Sequence, residues 1–453
     1  MNNFEKLKLS PNMLQNLKDM NFVEMTEIQE QSLPHSLEGL DIIAQAKTGS
    51  GKTLAFGIPL LQNINVKSFL IQALILCPTR ELSDQVATQI RKIARFQHNL
   101  KILTLSGGVP MRPQIKSLEH GAHVIVGTPG RIQDHLGKQT LNLKNVKTLV
   151  LDEADRMLDM GFYDVINHIL ESVSKKRQTL LFSATYEENI KTLSKNITIN
   201  PKFITIKQEQ DKKLVSEIFY KVQRDQKFEE LLKLLRYYKP LSIIMFCNTK
   251  IAVQEVTNLL QDAGFSALDL HGDLDQIDRT ETLIQFANRS CAILIATDVA
   301  ARGLDIKEVD MVMNYDLPRD IASYTHRIGR TARAGKSGLA ISLVDKNHLQ
   351  KIEDYKDNPD IREIEKINPD KNIKLLAPMK TLCINGGKKD KLRAGDILGV
   401  FCVAIGLLKE DIGKIDLLDR YTYVSIKKEV FQKAIKGLQN TKIKKRSFKV
   451  WSL

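Results

Sequence analysis

The stretch Leu149–Asp155 reads LVLDEAD, an apolar run long enough for a buried β-strand that ends in three carboxylates. A parallel α/β sheet places its chemistry at the carboxyl ends of its strands, so this run would deliver Asp152 and Glu153 to such an edge. Asp152 is suited to a magnesium ion held by nucleotide phosphates, and Glu153 to accepting a proton from an attacking water. The alternative is an acidic helix start, because carboxylates favour the positive end of a helix dipole.

A glycine-rich loop upstream favours the first interpretation. Residues 46–53 read AKTGSGKT and stand between a short apolar strand, Asp41–Gln45, and a helical segment. Strand, glycine loop and helix are the context of a phosphate-binding loop, whose backbone amides close around phosphate oxygens. The alternative, a flexible Gly-Ser turn, does not account for the Lys-Thr ending. The expected nucleotide contacts are Thr48, Gly49, Ser50, Gly51, Lys52 and Thr53, and the expected magnesium ligands are Thr53 and, through water, Asp152.

Length and charge predict several domains and a polyanionic partner. The chain has 453 residues, a formal charge of +14 and a pI of about 9.3, which favours nucleic acid. Residues 379–453 hold 17 Lys plus Arg against 7 Asp plus Glu, a net +10. We expect a first domain at 1–207, a second at 208–366, a linker at 367–378 and a basic domain at 379–453, with the polar stretch 207–213 connecting the first two domains.

Cysteine usage predicts a reducing compartment. The five cysteines show no Cys-x-x-Cys spacing, so neither a disulfide framework nor a zinc site is expected. The uncharged apolar run 397–408 is too short to cross a bilayer. These features predict a cytoplasmic protein without a membrane partner.

The loop and the LVLDEAD stretch together resemble the DEAD-box family of ATP-dependent RNA helicases, and the resemblance covers nearly the whole chain. Ala46, where the general phosphate-loop pattern has glycine, is common in that family. The resemblance implies two tandem RecA-like α/β domains with parallel sheets, ATP as substrate, Mg²⁺ as cofactor and RNA as partner. Residues 21–29, NFVEMTEIQ, resemble its Q motif. This implies that Phe22 stacks on adenine and Gln29 reads its edge, while Asn21 replaces a glycine and tolerates the same positive φ.

Three further segments follow predicted strands of the first domain, at 78–82, 107–108 and 128–131. Each alone is typical of an ordinary turn, but glycines, hydroxyls and arginines suit contact with an RNA backbone. The resemblance assigns RNA contacts to Arg80, Gly108, Thr128 and Arg131. The hydroxyls of Ser183 and Thr185 are expected to bond the carboxylates of Glu153 and Asp155.

The second domain repeats the strand and helix pattern without a phosphate loop, which suggests that it completes a site on the first. Residues 326–333 read HRIGRTAR, placing Arg330 and Arg333 three apart on one helical face, where both could meet a γ-phosphate. The alternative is a basic, solvated helix. The family motif implies catalytic roles for His326, Arg330 and Arg333. It also assigns Gly303 and Asp305 to the nucleotide and Arg279, Thr297 and Arg302 to RNA. We expect residues 345–365 to form a closing helix.

Residues 379–453 alternate as β-α-β-β-α-β, the order of an RRM-like α+β module. Tyr421 and Tyr423 would share a face and could stack bases, or could equally be surface-packed tyrosines. Cys383 stands where an aromatic residue is expected, so the RNA surface is expected to include Lys388, Lys389, Lys391 and Arg393.

The run 384–396 is similar to the C-terminal domain of the DbpA subfamily of bacterial DEAD-box helicases. This resemblance implies binding to a hairpin of large-subunit ribosomal RNA and work on the pre-ribosomal particle, with the chain expected as a monomer. Other interpretations are a general DEAD-box RNA chaperone or mRNA-decay helicase, an RNA-binding scaffold with an inactive ATPase, and a DNA helicase. The intact Lys52, Asp152, Glu153 and Arg333 disfavour an inactive ATPase, and Gln29 with the LVLDEAD stretch disfavours DNA.

Overall fold

The computed structural model describes residues 3–46, 49–206, 215–301, 309–331, 338–345, 349, 352–356 and 358–453. These residues divide into two compact units, 3–206 and 215–453. The expected connecting segment 207–213 lies outside the described residues. Within the described part of the chain, every helix is too short or too polar to cross a membrane.

Seven parallel strands form the sheet of the first unit: β1 (Ile42–Gln45), β2 (Ala73–Leu76), β3 (Ile102–Leu105), β4 (Val124–Gly127), β5 (Thr148–Leu151), β6 (Gln178–Ser183) and β7 (Lys202–Thr205). Their order across the sheet is β3-β4-β2-β5-β6-β1-β7. Strands β2 and β5 are buried along their whole length, as expected for apolar runs covered by helices on both faces. The helices are α1 (Pro11–Asp19), α2 (Glu27–Leu37), α3 (Lys52–Gln62), α4 (Arg80–Ile93), α5 (Met111–Glu119), α6 (Pro129–Gly137), α7 (Ala154–Asp159), α8 (Tyr163–Glu171) and α9 (Glu188–Ile197).

A second seven-stranded parallel sheet contains β8 (Val215–Val222), β9 (Ile243–Phe246), β10 (Ala267–Leu270), β11 (Ile293–Ala296), β12 (Met311–Asn314), β13 (Gly338–Asp345) and β14 (Asp360–Glu363). Their order is β10-β11-β9-β12-β13-β8-β14. The helices are α10 (Lys227–Tyr238), α11 (Lys250–Asp262), α12 (Gln276–Ala287), α13 (Asp298–Ala301), α14 (Ile321–Ile328) and α15 (Ile352–Tyr355). The two parallel sheets confirm the predicted tandem α/β architecture.

The expected closing helix over 345–365 is wrong. Only the four residues of α15 are α-helical in the described part of this segment, and β14 and then a 3-10 turn (Ile364–Lys366) follow them. Strand β14 pairs in parallel with β8 at the sheet edge, and all four of its residues are exposed. An edge strand needs no apolar face, so its DIRE sequence does not show the alternation by which a half-buried strand is recognised.

The C-terminal domain has the predicted β-α-β-β-α-β order. Its antiparallel sheet, ordered β16-β17-β15-β18, contains β15 (Met379–Ile384), β16 (Ile412–Leu417), β17 (Thr422–Lys427) and β18 (Val450–Ser452). Helix α16 (Ala394–Gly399), which continues into one π-helical turn (Val400–Ala404), and helix α17 (Phe431–Gln439) contribute to the core with Leu382, Ile384, Val424 and Ile426.

The other face of this sheet packs against α12 and the residues after it. Because side chains alternate across a strand, Thr381, Tyr423 and Ser425 point away from the helical core. The Asn288 amide donates to Thr381 Oγ1 at 2.9 Å, the Ser425 hydroxyl to the Asn288 carbonyl at 2.9 Å, and the Tyr423 hydroxyl to Glu281 at 3.1 Å. The second α/β domain therefore covers the sheet face that RRM-like modules commonly offer to RNA.

Candidate functional site

The loop between β1 and α3 has the backbone geometry of a phosphate cradle. Gly49 and Gly51 have φ of 86° and 94°, in the left-handed region that favours glycine. A Cβ at Gly51 would crowd the Gln29 amide nitrogen, and the positive φ would strain any other residue there. Ser50 follows Gly49, and Thr53 lies in the first turn of α3. Thr48 lies outside the described residues.

Lys52 and Asp152 meet at the carboxyl edge of the first sheet. Lys52 Nζ lies 3.9 Å from Asp152 Oδ1, and both side chains are buried. The same ammonium donates to the Ala46 carbonyl at 3.3 Å, which draws the lysine back over the loop. Burial raises the pKa of Asp152 to about 6, although the nearby Lys52 charge opposes the shift. The structure thus joins the two segments on which the nucleotide-site prediction rests.

A magnesium ion suits this corner chemically. Asp152 Oδ1 is buried and, among the described residues, has no hydrogen-bond partner. Within the same described residues there is no cluster of three or more His, Cys, Asp or Glu that could hold a metal alone. Magnesium is commonly bound by one or two carboxylates together with water and substrate phosphates. Asp152 and the Thr53 hydroxyl therefore fit a magnesium ion that arrives with a nucleotide.

Glu153 occupies a strained position directly after Asp152. Its φ and ψ are 54° and 51°, in the left-handed region, and its side chain is buried and paired with Arg156 at 3.2 Å. Non-glycine residues in this region cost roughly 1–3 kcal/mol and cluster at functional sites. The strain turns the chain sharply between β5 and α7.

Asp155 connects the LVLDEAD stretch to the end of β6. Its Oδ2 accepts hydrogen bonds from the backbone nitrogens of Ala184 and Thr185 at 3.1 and 3.2 Å, and from the Thr185 hydroxyl at 3.5 Å. The Ser183 hydroxyl, also expected to take part, has no hydrogen-bond partner among the described residues. Backbone amides, which sequence reasoning did not consider, supply the shorter bonds.

Gln29 is buried and bonded at both ends of its amide. Its Oε1 accepts from the Thr26 backbone nitrogen at 3.0 Å, and its Nε2 donates to the Gly51 carbonyl at 3.0 Å. Gln29 therefore ties helix α2 to the phosphate loop, a contact that its expected role on adenine did not suggest. Phe22 packs partly buried against the first core, and Asn21 has the expected positive φ, 60°.

The predicted RNA contacts of the first unit follow three adjacent strands, β3, β4 and β2. Gly108 has φ of 72°, and a Cβ there would overlap the Arg80 guanidinium. Arg131 donates to the Val109 carbonyl at 3.0 Å, so it holds the segment that follows Gly108. Thr128 is the N-cap of α6. The structure brings these four residues to one edge of the sheet.

In the second unit, Arg279 and Thr297 meet around the start of α13. The Arg279 guanidinium donates to the Ala300 carbonyl at 2.6 Å, and the Ala300 backbone nitrogen donates to Thr297 Oγ1 at 3.4 Å. Arg302, Gly303 and Asp305 lie outside the described residues.

The expected helical face shared by Arg330 and Arg333 is wrong for Arg330. Helix α14 ends at Ile328 with Gly329 as its C-cap, so Arg330 lies beyond the helix and is 5% exposed. Glycine is a poor helix former, which accounts for the early end. Arg333 lies outside the described residues, and His326 lies half-buried in the last turn of α14.

Arg327, to which sequence reasoning gave no role, is buried and bonded to three neighbouring side chains. It is 1% exposed and forms a two-pronged pair with Asp298 at 2.6 and 2.7 Å. It also donates to Asn314 at 3.1 Å and to Asn248 at 3.0 Å. The available signal was an arginine within an apolar helical stretch, together with Asp298 just after a buried strand. Arg327 fixes α14 to the strand ends of the second sheet.

The C-terminal candidates divide by exposure. Lys388, Lys389, Lys391 and Arg393 are exposed on the loop between β15 and α16, and Tyr421 is half-buried. Tyr423 is only 2% exposed because its ring lies under α12. This burial contradicts the expectation that Tyr423 is open to a stacking base.

Comparison with known families matches almost the same segments. The DEAD/DEAH box helicase family matches residues 26–193, the helicase conserved C-terminal domain matches 226–335, and the DbpA RNA binding domain matches 381–452. The ATP-dependent RNA helicase DbpA of Escherichia coli (strain K12) is 48% identical over 444 residues, which are 98% of this chain and 97% of that protein.

Solved structures show the same fold. S. cerevisiae Dbp5 bound to RNA and ADP BeF3 matches with a TM-score of 0.72 and 32% identity, over 80% of this chain and 95% of that one. Mss116p bound to ssRNA and AMP-PNP matches with a TM-score of 0.69 and 30% identity, over 80% of this chain and 78% of that one. With the E. coli relative aligned over nearly its full length, this chain belongs to the DEAD-box ATP-dependent RNA helicases of the DbpA type.

Proposed function

We propose that this helicase remodels large-subunit ribosomal RNA during ribosome assembly, working as a monomer in the cytoplasm and anchored to a ribosomal RNA hairpin by its C-terminal domain. The observation that carries this proposal is the exposed basic loop of Lys388, Lys389, Lys391 and Arg393 on a domain whose sheet face is covered around Tyr423. The five cysteines are free, which suits a reducing compartment.

ATP hydrolysis would use the phosphate loop and the carboxylates at the carboxyl edge of the first sheet. Magnesium, when bound with ATP, supplies charge neutralisation at the phosphates. Lys52 and the loop amides bind the outer phosphates, Thr53 and Asp152 hold the metal, and Glu153 accepts the proton of the attacking water. Phe22, Gln29, Gly303 and Asp305 bind the base and ribose, while Arg330, Arg333 and His326 act on the transferring phosphate.

The core would contact the RNA through its backbone. In the first unit these contacts are Arg80, Gly108, Thr128 and Arg131, and in the second Arg279, Thr297 and Arg302. None of these residue types in this arrangement requires a particular base, because phosphate contacts position RNA without reading sequence. Selectivity would therefore come from the C-terminal domain. The competing function is that of a general RNA chaperone or mRNA-decay helicase without ribosomal preference.

Crosslinking in cells tests the choice between these functions. The full-length protein should crosslink mainly to large-subunit ribosomal RNA, and reversing Lys388 and Lys389 to Glu should remove that enrichment. The matched control is Lys175→Glu with Lys176→Glu, which makes the same charge change at exposed lysines of the first unit. The control should keep the enrichment. Crosslinks spread over messenger RNAs would contradict the ribosomal assignment.

A further inference from the structure

The single tryptophan of this chain lies beside Tyr421 at the uncovered end of the C-terminal sheet. Trp451 and Tyr423 are opposite Cys383 on its two neighbouring strands, so these side chains share the sheet face. The Tyr421 ring is 6.1 Å from the Trp451 ring in an edge-to-face arrangement and 6.4 Å from the Tyr423 ring. Tyr423 is buried under α12, whereas Tyr421 and Trp451 are each half-buried. The aromatic row thus continues past the covered part of the sheet.

Basic side chains surround this exposed end. The backbone nitrogens of Lys388 and Lys389 donate to the Leu418 and Asp419 carbonyls at 2.8 and 2.9 Å, which brings the basic loop against the turn that leads into Tyr421. The Asn385 backbone nitrogen donates to the Lys449 carbonyl at 2.9 Å, which brings the segment before Trp451 to the same place. The exposed cationic residues here are Lys388, Lys389, Arg420 and Lys449.

Carboxylates also lie in this region and reduce its positive charge. Asp419 is exposed and 3.7 Å from Lys389, and Asp390 accepts a hydrogen bond from the Gly387 backbone nitrogen at 3.0 Å. Asp416, opposite Tyr423 on β16 and so on the same sheet face, is paired with Lys414 at 2.8 Å. With Lys414 included, five cations against three carboxylates leave a positive surface around the rings. Aromatic rings flanked by cations are the chemistry by which proteins hold single-stranded nucleic acid.

We propose that Tyr421 and Trp451 form a stacking ledge for one unpaired base of the bound RNA, next to the lysines that hold its backbone. This inference rests on the proposed RNA-anchoring function of the domain. Every base has a π-face, so the ledge would favour unpaired over paired nucleotides rather than one base over another. The ledge takes over the role that Tyr423 cannot perform under α12.

The fluorescence of Trp451 reports this site directly, because the chain has no other tryptophan. The probes are a blunt RNA duplex and the same duplex with a short single-stranded extension, added to the full-length protein. The extended duplex should quench the emission and bind more tightly than the blunt one.

Substitutions separate stacking from mere apolar contact. Trp451→Leu should weaken binding of the extended duplex about tenfold, the range expected for loss of one stacked base. Trp451→Phe keeps an aromatic face and should remain within about threefold of wild type. Thermal unfolding checks that each variant is folded. Tyr421→Leu should weaken binding of the extended duplex in the same way, and it provides the test if Trp451→Leu is unstable.

The outcomes distinguish the stacking ledge from the proposed RNA-anchoring function of the C-terminal domain. If emission is unchanged and Trp451→Leu and Tyr421→Leu bind like wild type, while Lys388→Glu with Lys389→Glu weakens binding, the ledge is overturned and the RNA anchor stands. If neither lysine reversal nor removal of the rings affects binding, the C-terminal domain is not the anchor and the proposed function fails with the ledge.

Discussion

The Tyr423 hydroxyl donates a hydrogen bond to the Glu281 carboxylate at 3.1 Å, joining the C-terminal sheet to helix α12 of the second α/β domain. Burial raises the pKa of Glu281, and the bond from Tyr423 partly offsets the shift. Both groups are therefore committed to the boundary between the domains.

Removing the hydroxyl should cost stability, whereas neutralising the carboxylate should not. We expect Tyr423→Phe to lower the free energy of unfolding by about 1 kcal/mol, the usual contribution of one hydrogen bond. Glu281→Gln keeps an acceptor and removes a charge that burial disfavours, so it should be neutral or stabilising at pH 7. Denaturant unfolding measures both, with Tyr237→Phe, at an exposed tyrosine, as the control. A larger loss for Glu281→Gln than for Tyr423→Phe would refute this account of the contact.

Lys52→Ala should abolish ATP turnover and leave RNA binding by the C-terminal domain intact. The buried Lys52 ammonium lies 3.9 Å from Asp152 Oδ1 and donates to the Ala46 carbonyl, so its removal takes away the cation expected to bind the outer phosphates. Phosphate release and RNA binding, measured on the same preparation, separate the two effects. Lys67→Ala removes an exposed lysine of the same unit and should change neither. Normal ATP turnover by Lys52→Ala would show that Lys52 does not belong to the ATP site.

The raised pKa of Asp152 predicts a pH-dependent stability. A carboxyl whose pKa is about 6 in the folded protein contributes stability below its unfolded value, near 4, and this contribution is lost as the pH rises through 6. Relative to Asp152→Asn, the nucleotide-free wild type should therefore lose up to about 3 kcal/mol of unfolding free energy between pH 4 and pH 7. Paired denaturant titrations at the two pH values provide the measurement. A constant difference between the proteins would show that Asp152 does not titrate there.

The arginines of residues 326–333 should separate into catalytic and structural roles. Arg330→Ala and Arg333→Ala should each reduce kcat by more than about tenfold while changing ATP affinity less, because the role proposed for both arginines is to stabilise charge that develops during transfer. Arg327→Ala should instead lower the free energy of unfolding by roughly 1.5–3 kcal/mol, because it removes the buried guanidinium and its hydrogen bonds and leaves the partly exposed Asp298 without this partner. Steady-state kinetics and denaturant unfolding distinguish them. A loss in kcat below tenfold would remove Arg330 and Arg333 from the site.

Sequence reasoning predicted the parts of this molecule that local pattern determines. The buried strands β1 and β5, the glycine loop before α3 and the positive φ of Asn21 follow from apolar runs and from backbone conformations that few residues tolerate. The meeting of Lys52 with Asp152 follows in turn, because parallel strands end at the same edge of a sheet.

Sequence reasoning did not predict contacts whose partners are distant in the chain. The alternation of β17 places Tyr421 and Tyr423 on one face, but nothing local indicates that Glu281 covers only the second. In the sequence Arg327 is one of several basic residues in its segment. Its partners Asn248, Asp298 and Asn314 are distant in the chain and come together only in the folded domain. Exposed β14 has a single apolar residue, Ile361, among three charged ones, so it lacks the apolar pattern of a strand.

We propose that the C-terminal domain gives this ATPase its preference for a ribosomal RNA hairpin over generic RNA. A deletion of residues 379–453 tests it, alongside the full-length variant Lys388→Glu with Lys389→Glu, which keeps the contact with α12. The measurement is the RNA concentration that gives half-maximal ATPase stimulation, compared between a large-subunit ribosomal hairpin and generic RNA of equal length. The full-length protein should respond to the hairpin at far lower concentration, and in both altered proteins the two values should converge. If the deleted protein keeps the full preference for the hairpin, selectivity resides in the helicase core and the account of the C-terminal domain is wrong.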